Sequence, residues 1–411
     1  MADIKPFKCI RPDSDTADAV AALPYDVYNR KEACDEVKDK PLSFLNIDRA
    51  ETQFGDEVDT YDNRVYDKAL ELLEKRIADG TFITDNEDAY YIYELTMNGR
   101  TQTGIVACAS IDDYLENNIK KHEKTRADKE LDRINHVDRT SAQTGPIFLA
   151  YRSNEIINNI VAQVRMGSPL YDFVADDGIR HVVWKIAVPE LVKTIREEFE
   201  DINSIYIADG HHRAASAVKV GLKRREEHPD YDGTEEFNYF LSVLFPDDQL
   251  MIMPYNRVVK DLNGLSNEEF LDAISKYFTV EEMGHKAFYP EDKGQFGMYL
   301  DDDWYLLSAK ESIMSDDPVD GLDVAILQDY LLTPILGIED PRTDKRIDFI
   351  GGIRGLDELE RRADSDMKLA FSMYPTSISE LFAVADADRL MPPKSTWFEP
   401  KLRSGLFIHR I

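Results

Sequence analysis

The sequence predicts an α+β fold, with mixed sheets and several hairpins, from three observations. Runs of β-branched and aromatic residues are joined by Asn98-Gly99 and by Asp177-Gly178, which are strong two-residue hairpin signals. Segments with helical spacing follow strands at irregular intervals rather than in strict alternation. The chain shows no internal repeat, no low-complexity linker and no heptads. Locally paired strands with interspersed helices are typical of the α+β class.

Periodicity and turn chemistry predict the elements in chain order. Residues 57–79 carry apolar positions at helical spacing and stop at Gly80. A polar, charged stretch over 112–144 follows the first hairpin as loop and helix. Ser266 and Glu269 match a capping box at the start of a later helix. The remaining elements are a strand at 146–152, a helix at 154–164, a hairpin at 171–188, a helix at 189–203, a strand–turn–helix at 204–221, strands at 238–245 and 250–259, a helix at 265–278 and a hairpin at 296–310.

Composition limits the classes of partner. The formal net charge of −30 repels phosphate backbones, so we expect no nucleic-acid partner, although a local basic pocket can still bind one small anion. The three cysteines form no CxxC pair and no zinc spacing, which favours thiols in a reducing compartment. The sequence has neither a signal-peptide h-region nor a run of eighteen apolar residues. We therefore expect a cytoplasmic protein without a membrane partner.

The division into domains is open because no Gly, Ser or Pro-rich linker marks a boundary. One arrangement is an N-terminal α/β lobe over residues 1–200 and a second lobe over 201–411 that carries the sequence DGHHR. The other is a single intertwined domain.

The most informative segment is "SIYIADGHHRAASAVKVG", residues 204–221, where a predicted strand passes into a helix. Gly210 permits a turn that a Cβ would hinder, and the first turn of the helix offers free N–H groups to an anion. Arg213 adds a guanidinium fork for phosphate or carboxylate. Asp209, at the strand end, can hold Mg²⁺ or accept a hydroxyl proton. Together these are the parts of a phosphoryl-transfer site.

The two adjacent histidines leave several interpretations open. His211 and His212 can donate to phosphate oxygens, or one of them can shuttle a proton near neutral pH. They point about 100° apart on a helix, so their spacing does not indicate a zinc pair. The alternative is structural: Asp209 caps the helix and the histidines pack. We favour the functional interpretation because five polar or permissive residues share one turn.

Four other polar segments are candidate contributors to a site. "KKHEKTRADKELDR", residues 120–133, crowds polar side chains into a loop–helix region, although a solvated charged helix explains it equally well. "PYNRVV", 254–259, places an arginine after a strand, where it suits a phosphate or a surface ion pair. "PPKSTWFEPKLRSG", 392–405, is a basic patch or a rigid terminal loop, and "LPYDVYNR", 23–30, holds an aspartate in a Pro-Tyr turn. The polar side chains in question are Asp26, His122, Glu123, Thr125, Arg126, Asp132, Arg133, Asn256, Arg257, Lys394, Ser395, Thr396, Lys401 and Arg403.

The motifs "PYDV", "HEKT", "ADGHHRAASA", "MPYNRVV" and "PPKSTWFEPKLRSGL" stand in that order along the chain. By these motifs the chain is identified as a member of a large uncharacterised bacterial family, the domain of unknown function numbered one-zero-one-five. Its central strand–turn–helix is similar to the core of the ParB/sulfiredoxin-like superfamily, and the turn resembles the DGH-type turn of free serine kinases. The motif has no cysteine, unlike sulfiredoxins, and the chain lacks the basic helix-turn-helix of ParB. It also lacks a Walker A sequence, so a nucleotide would need another cradle.

The resemblance implies a phosphotransferase that exchanges phosphate between a nucleotide, ATP or ADP, and a small hydroxy substrate, serine or O-phosphoserine, with Mg²⁺. Family members are often found with serine-biosynthesis genes. Two alternatives stay open: a non-catalytic, ParB-like nucleotide-binding regulatory protein, and a phosphoserine hydrolase. The expected partners are the substrate and the nucleotide, with a homodimer as one further option. From the motifs and the resemblance together, the assigned roles are Asp209, His122 and Glu123 in catalysis; Gly210, His211, His212, Arg213, Arg257, Lys394, Ser395 and Lys401 in phosphate or nucleotide binding; Asp26 and Asn256 in substrate binding; and Asp209 in metal binding.

Overall fold

The computed structural model describes residues 2–125 and 127–411. Contacts between Cα atoms divide the chain into two compact units, which we call unit 1 and unit 2. Unit 1 runs to Leu250 and resumes at Pro400, and unit 2 is Met251–Glu399. The division that the sequence suggested at residues 200 and 201 falls inside unit 1, between a helix and the next strand. The α+β class is confirmed.

Unit 1 is built on a mixed sheet. The strands of unit 1 up to Leu250, not all of which belong to this sheet, are β1 (Ile4–Lys5), β2 (Ile10–Pro12), β3 (Phe82–Thr84), β4 (Tyr90–Met97), β5 (Arg100–Ser110), β6 (Ile119–Lys120), β7 (Ala142–Gln143), β8 (Ile147–Tyr151), β9 (Tyr171–Val174), β10 (Arg180–Ile186), β11 (Ile205–Asp209) and β12 (Tyr239–Pro246). Within the described residues nine strands form this sheet, in the order β6-β11-β8-β12-β5-β4-β10-β9 with β1 beside β5. The pairs β11–β6 and β12–β8 are parallel and the other pairs are antiparallel.

Both hairpins predicted in unit 1 are confirmed. Met97 pairs with Arg100 across the β4–β5 turn, and Asn98 and Gly99 both have positive φ angles, of 52° and 78°. These angles are those of the turn that an Asn-Gly pair favours, because its twist matches the twist of the strands. Gly178 has a φ of 79° in the turn between β9 and β10.

The helices of unit 1 pack in two apolar clusters, one against this sheet and one apart from it. They are α1 (Ala17–Val20), α2 (Arg30–Val37), α3 (Leu45–Asp48), α4 (Asn63–Ala78), α5 (Ile111–Leu115), α6 (Ala127–Thr140), α7 (Glu155–Val164), α8 (Pro189–Glu200) and α9 (His211–Glu227). Helix α4 begins six residues later than the apolar spacing suggested, because the side chain of Asp62 accepts a hydrogen bond from the backbone N–H of Arg64 and caps the helix there.

One apolar core fixes α9 against the sheet. Ile207 of β11 lies opposite Leu149 of β8, and the two belong to a buried apolar cluster on one face of the sheet. Ala214 and Ala217 of α9 enter the same cluster, together with Ile157 of α7. Small side chains let α9 approach the strands closely, so the start of α9 is held at the end of β11.

Unit 2 has a separate antiparallel sheet. Its strands are β13 (Ile252–Met253), β14 (Tyr255–Val259), β15 (Phe278–Gly284), β16 (Gln295–Leu300), β17 (Asp303–Ala309), β18 (Ile347–Gly351), β19 (Leu369–Met373) and β20 (Trp397–Phe398), and its helices are α10 (Asn267–Ile274), α11 (Asp323–Leu327), α12 (Asp357–Ser365) and α13 (Ile378–Asp386). The order in the sheet is β15-β17-β16-β19-β14-β18, and β13 pairs with β20. The capping box of Ser266 and Glu269 and the β16–β17 hairpin are confirmed. In the resumed part of unit 1, β21 (His409–Arg410) pairs with β7.

Candidate functional site

The turn between β11 and α9 is the centre of the candidate site. Gly210 has a φ of +94°, a left-handed conformation that side chains other than glycine rarely adopt. A Cβ on this residue would lie 3.1 Å from the guanidinium carbon of Arg213, so a side chain there would also press on the arginine. The cap position provides no side-chain hydrogen bond to α9. The first N–H groups of the helix therefore keep their capacity to bind an anion.

Asp209 is held between two cations. Its Oδ2 lies 3.5 Å from Nζ of Lys401 and 3.5 Å from Nη2 of Arg213. Burial alone would raise the pKa of Asp209, but Lys401 and Arg213 outweigh that effect and lower the pKa well below its usual value. A carboxylate with so low a pKa is a weak proton acceptor at neutral pH. Without a ligand, Asp209 is therefore suited to orienting cations rather than to removing a proton.

The two terminal nitrogens of the Arg213 guanidinium have different partners. Its Nη1 donates to the carbonyl of Pro146 at 2.6 Å, while Nη2 faces Asp209. A Cβ on Gly145 would lie 3.6 Å from Arg213 Cδ and 3.2 Å from Ser404 Oγ, so the glycine leaves room for the arginine stem. These two contacts hold the guanidinium beside the first turn of α9.

His211 packs instead of projecting into solvent. Its side chain is 4% exposed, and its ring meets the ring of His122 edge-on, with centroids 4.5 Å apart. The backbone N–H of His122 donates to His211 Nε2 at 3.5 Å, which assigns the His211 proton to Nδ1, 3.8 Å from Oε2 of Glu123. Burial lowers the pKa of His122 to about 4, and burial together with the neighbouring His122 lowers the pKa of His211 well below its usual value. Both rings are neutral at pH 7, so neither supplies a positive charge to a phosphate.

His212 differs from its neighbour. It is partly exposed, and its carbonyl accepts a hydrogen bond from Ser216 Oγ at 2.7 Å. Of the two adjacent histidines, His212 is the one with surface available to a ligand. Arg126, which the sequence placed in the neighbouring polar segment, lies outside the described residues.

An open cavity of about 200 Å³, which we call the acidic cavity, lies in unit 1. Asp26, a predicted substrate contact, is on its wall, and Arg133 lines it as well. Arg133 also lines a smaller cavity that Arg213 borders, and the two cavities share Tyr25, Asp48, Arg133 and His136. Arg133 therefore belongs to the wall of the cavity that Asp26 lines and to the wall of the cavity that Arg213 borders.

The structure places His122, Glu123 and Lys401 in contact with the turn, Asp26 on the acidic cavity, and the other predicted residues in unit 2. Asn256 is fully buried and its Oδ1 accepts from the backbone N–H of Met373 at 3.0 Å. Arg257 is buried and donates to the carbonyls of Tyr255 and Lys394, and burial lowers its pKa to about 10. Lys394 Nζ lies 5.3 Å from the centre of the Tyr255 ring, and Ser395 Oγ donates to the carbonyl of Pro392 at 2.6 Å. These contacts tie the four side chains into unit 2, and their ligand-binding roles stay predictions.

A magnesium ion would find one protein ligand at the turn. In the described part of the chain, no group of three or more His, Cys, Asp or Glu side chains is placed to hold a metal ion. Magnesium is commonly bound by one or two carboxylates together with substrate phosphates and water. Asp209 fits that limited role, as a single carboxylate beside a phosphate cradle.

A family comparison agrees with the motifs. The pattern of the family described as "Protein of unknown function (DUF1015)" matches residues 4–325. The chain belongs to this family. No curated protein matches the sequence. Within the part described, no helix combines the length and apolar character needed to cross a membrane.

Three solved structures illustrate how distant the known neighbours of this family member are. A free serine kinase in complex with AMP has a TM-score of 0.34 and 15% identity, and the match covers 73% of this chain and 91% of that one. A mutant free serine kinase in complex with ADP has a TM-score of 0.35 and 14% identity, and the match covers 74% of this chain and 93% of that one. SbnI with a C-terminal truncation, from Staphylococcus aureus, has a TM-score of 0.35 and 11% identity, and the match covers 72% of this chain and 85% of that one. Scores this low carry no functional argument, so the similarity to ParB/sulfiredoxin-like cores stays a prediction.

The sequence motifs include the turn but leave out much of the acidic cavity. Asp48, at the end of α3, and His136, in the middle of α6, line both cavities without belonging to any polar motif. Asp48 is 4% exposed and His136 is 3% exposed. Isolated polar residues inside helical segments have no sequence signal of their own, and only folding reveals that they face a cavity.

Proposed function

We propose that the protein transfers a phosphoryl group between a nucleotide, ATP or ADP, and a small hydroxy substrate, serine or O-phosphoserine. The observation that carries this proposal is the turn itself: Asp209 lies 3.5 Å from both Lys401 and Arg213 at the uncapped start of α9. The substrate class comes from the sequence resemblance to free serine kinases, and it is the finer part of the proposal.

Phosphoryl transfer depends mainly on positioning and on charge compensation. Arg213, Lys401 and the free N–H groups of α9 supply positive potential on one side of the turn. A phosphate that enters would compete with Asp209 for the two cations. Without a metal, the pKa of Asp209 would then rise toward its usual value and the residue would become a better acceptor for the proton of the substrate hydroxyl; with Mg²⁺ on the carboxylate, another base has to take that proton.

Magnesium, when bound, would neutralise charge on the phosphate oxygens, and Asp209 is the residue that would hold it together with those oxygens. Glu123 is the second carboxylate near the turn, and its side chain is 44% exposed. It remains a candidate general base. His122 stays in the proposal as a neutral support for His211 rather than as a charged acid.

One observation favours a second function, nucleotide binding without chemistry. The lowered pKa of Asp209 and its two cationic neighbours suit a site that binds phosphate and performs no proton transfer. In that case the protein would be a nucleotide-binding regulatory module.

The test mixes the protein with Mg²⁺, ADP and O-phosphoserine and follows O-phosphoserine, ADP, ATP and inorganic phosphate by ³¹P NMR. Phosphoryl exchange that disappears in Asp209→Asn, but persists in Asp230→Asn, supports the transferase. Asp230 is an exposed aspartate that lines neither cavity, so it controls for the loss of one charge. Tight ADP binding without exchange supports the regulatory function. Inorganic phosphate released without any nucleotide points instead to a phosphoserine hydrolase.

A further inference from the structure

The acidic cavity carries more carboxyl groups than its own arginines can neutralise. Four carboxyl side chains and two guanidinium groups line it, a formal excess of two negative charges. Each arginine already has an acidic partner: Arg49 Nε lies 2.5 Å from Glu51 Oε1, and Arg133 Nη2 lies 2.8 Å from Asp132 Oδ2. Burial lowers the pKa of His136, so this ring adds no compensating charge at neutral pH.

Asp26 and Asp48 are the carboxyl groups that remain. Neither forms an ion pair within the residues the structure describes. Asp48 is almost fully buried, and one of its carboxyl oxygens accepts from Thr144 Oγ1 at 2.8 Å. Its other oxygen accepts no hydrogen bond from the described residues and is not sealed from solvent. With two carboxylates that lack an ion-pair partner, this wall of the cavity favours a positively charged ligand group.

Arg133 offers the opposite charge from the same wall. It is 7% exposed, its Nε and Nη2 are directed to Asp132, and its guanidinium lies 4.0 Å from the centre of the Tyr25 ring. Among the described residues, Nη1 has no hydrogen-bond acceptor. Its Nη2 is also 3.5 Å from the backbone carbonyl oxygen of Asp48, and the Asp48 carboxylate is close enough to raise the pKa of Arg133. A guanidinium on the cavity wall with one nitrogen that lacks an acceptor among the described residues favours an anionic ligand group.

We propose that the acidic cavity binds the zwitterionic head of a small α-amino acid. Asp26 and Asp48 receive its ammonium group, and Arg133 receives its carboxylate. This inference rests on the proposed function, because it gives the hydroxy substrate of that reaction a binding site beside Arg213.

Two other ligands fit the cavity less well. A metal ion would need converging ligands, and the described residues contain no group of three or more acids, histidines or cysteines placed to hold one. A nucleotide is too large, since about 200 Å³ is below the roughly 300–1,000 Å³ of pockets for drug-sized ligands. An α-amino acid places one positive and one negative group a few ångströms apart, as the wall does.

The test uses three probes that differ in one charge: L-serine, ethanolamine, which lacks the carboxylate, and 3-hydroxypropionate, which lacks the ammonium group. Their affinities are measured by calorimetry on the full chain, with and without ADP. Asp26→Asn weakens serine and ethanolamine about fivefold, and Asp48→Asn weakens them about tenfold or more. Arg133→Lys weakens serine and 3-hydroxypropionate about tenfold, because a lysine ammonium group cannot keep the contact with Asp132 and also donate to the ligand carboxylate as the guanidinium does. In each case the third probe keeps its affinity.

Asp230→Asn is the matched control and leaves all three affinities unchanged. Asp26 is exposed, so Asp26→Asn decides the question even if the buried variants fail to fold. The inference is overturned if serine does not bind with or without ADP, or if its affinity in Asp26→Asn stays within twofold of wild type. Serine binding with the expected pattern, but no phosphoryl exchange, refutes the proposed function and leaves the cavity assignment standing. Phosphoryl exchange together with an unchanged serine affinity in Asp26→Asn supports the proposed function and refutes the cavity assignment.

Discussion

Replacing Asp209 by asparagine removes one negative charge from the turn and leaves its shape almost unchanged. A phosphate bound by Lys401 and Arg213 would lie roughly 5 Å from the carboxylate, where the repulsion is about 0.8 kcal/mol in water and about 3 kcal/mol at an effective dielectric constant of 20. The Asp209 side chain is 35% exposed, so solvent screening puts the value near the lower limit. About 1 kcal/mol corresponds to roughly a fivefold change in affinity.

We therefore expect Asp209→Asn to bind ADP about fivefold more tightly than wild type in the presence of EDTA. The two cations also lose their internal competitor, which acts in the same direction. With Mg²⁺ present the order reverses, because the variant lacks the carboxylate that would hold the metal, and phosphoryl exchange is lost.

Isothermal titration of ADP at constant ionic strength measures both conditions, with Asp230→Asn as the control and circular dichroism as the check on folding. If Asp209→Asn binds ADP no better than wild type in EDTA, the phosphates do not lie beside Asp209 and the reasoning fails.

Three further predictions concern the elements that support the site. Gly210→Ala should lower the free energy of unfolding by about 2–3 kcal/mol, because its positive φ is strained and its Cβ meets Arg213; Gly178→Ala, with a similar φ but open space, should lose only about 1 kcal/mol in the same urea titration. The folded-state pKa of His122 is about 4, below that of an unfolded histidine, so the unfolded chain takes up the proton first and stability falls from about pH 6.5 downward until about pH 4. Wild type should therefore lose about 1 kcal/mol more than His122→Phe between pH 7 and pH 5.5, and equal losses would contradict the assignment. Arg257→Met should destabilise unit 2 by about 1–2 kcal/mol, since two partly buried carbonyls lose their donor; an unchanged unfolding transition would show that the arginine serves a ligand instead.

The sequence predicted the elements whose cause is local. Asn98-Gly99 determines its hairpin through the backbone angles of two residues, and Ser266 caps α10 through a contact three residues away. The start of α4 was missed because a helical apolar pattern extends past Asp62, and only the cap stops it. The same local reasoning located the Asp209-Gly210 turn.

Long-range partners had no such signal. Lys401 meets Asp209 across 192 positions in the sequence, and nothing near either residue predicts the contact. The basic residues of 392–405 look like one patch in the sequence, but the segment crosses the boundary between the two units. Lys394 belongs to unit 2 and Lys401 to unit 1. A single motif therefore contributes to two folding units, and its residues cannot be assigned one shared role.

The position of Lys401 depends on a segment that is firmly anchored in unit 1. Arg403, two residues later, donates to the carboxylate of Asp177 and lies 3.3 Å from Nε2 of the buried His181. The backbone of Ser404 forms two hydrogen bonds with Ala22. Since the chain leaves unit 1 at Leu250 and resumes at Pro400, the second cation of the turn is added only after all of unit 2 has been synthesised. Asp209, Gly210 and Arg213 can fold with the central sheet, but the charge balance that lowers the pKa of Asp209 requires the last twelve residues to dock.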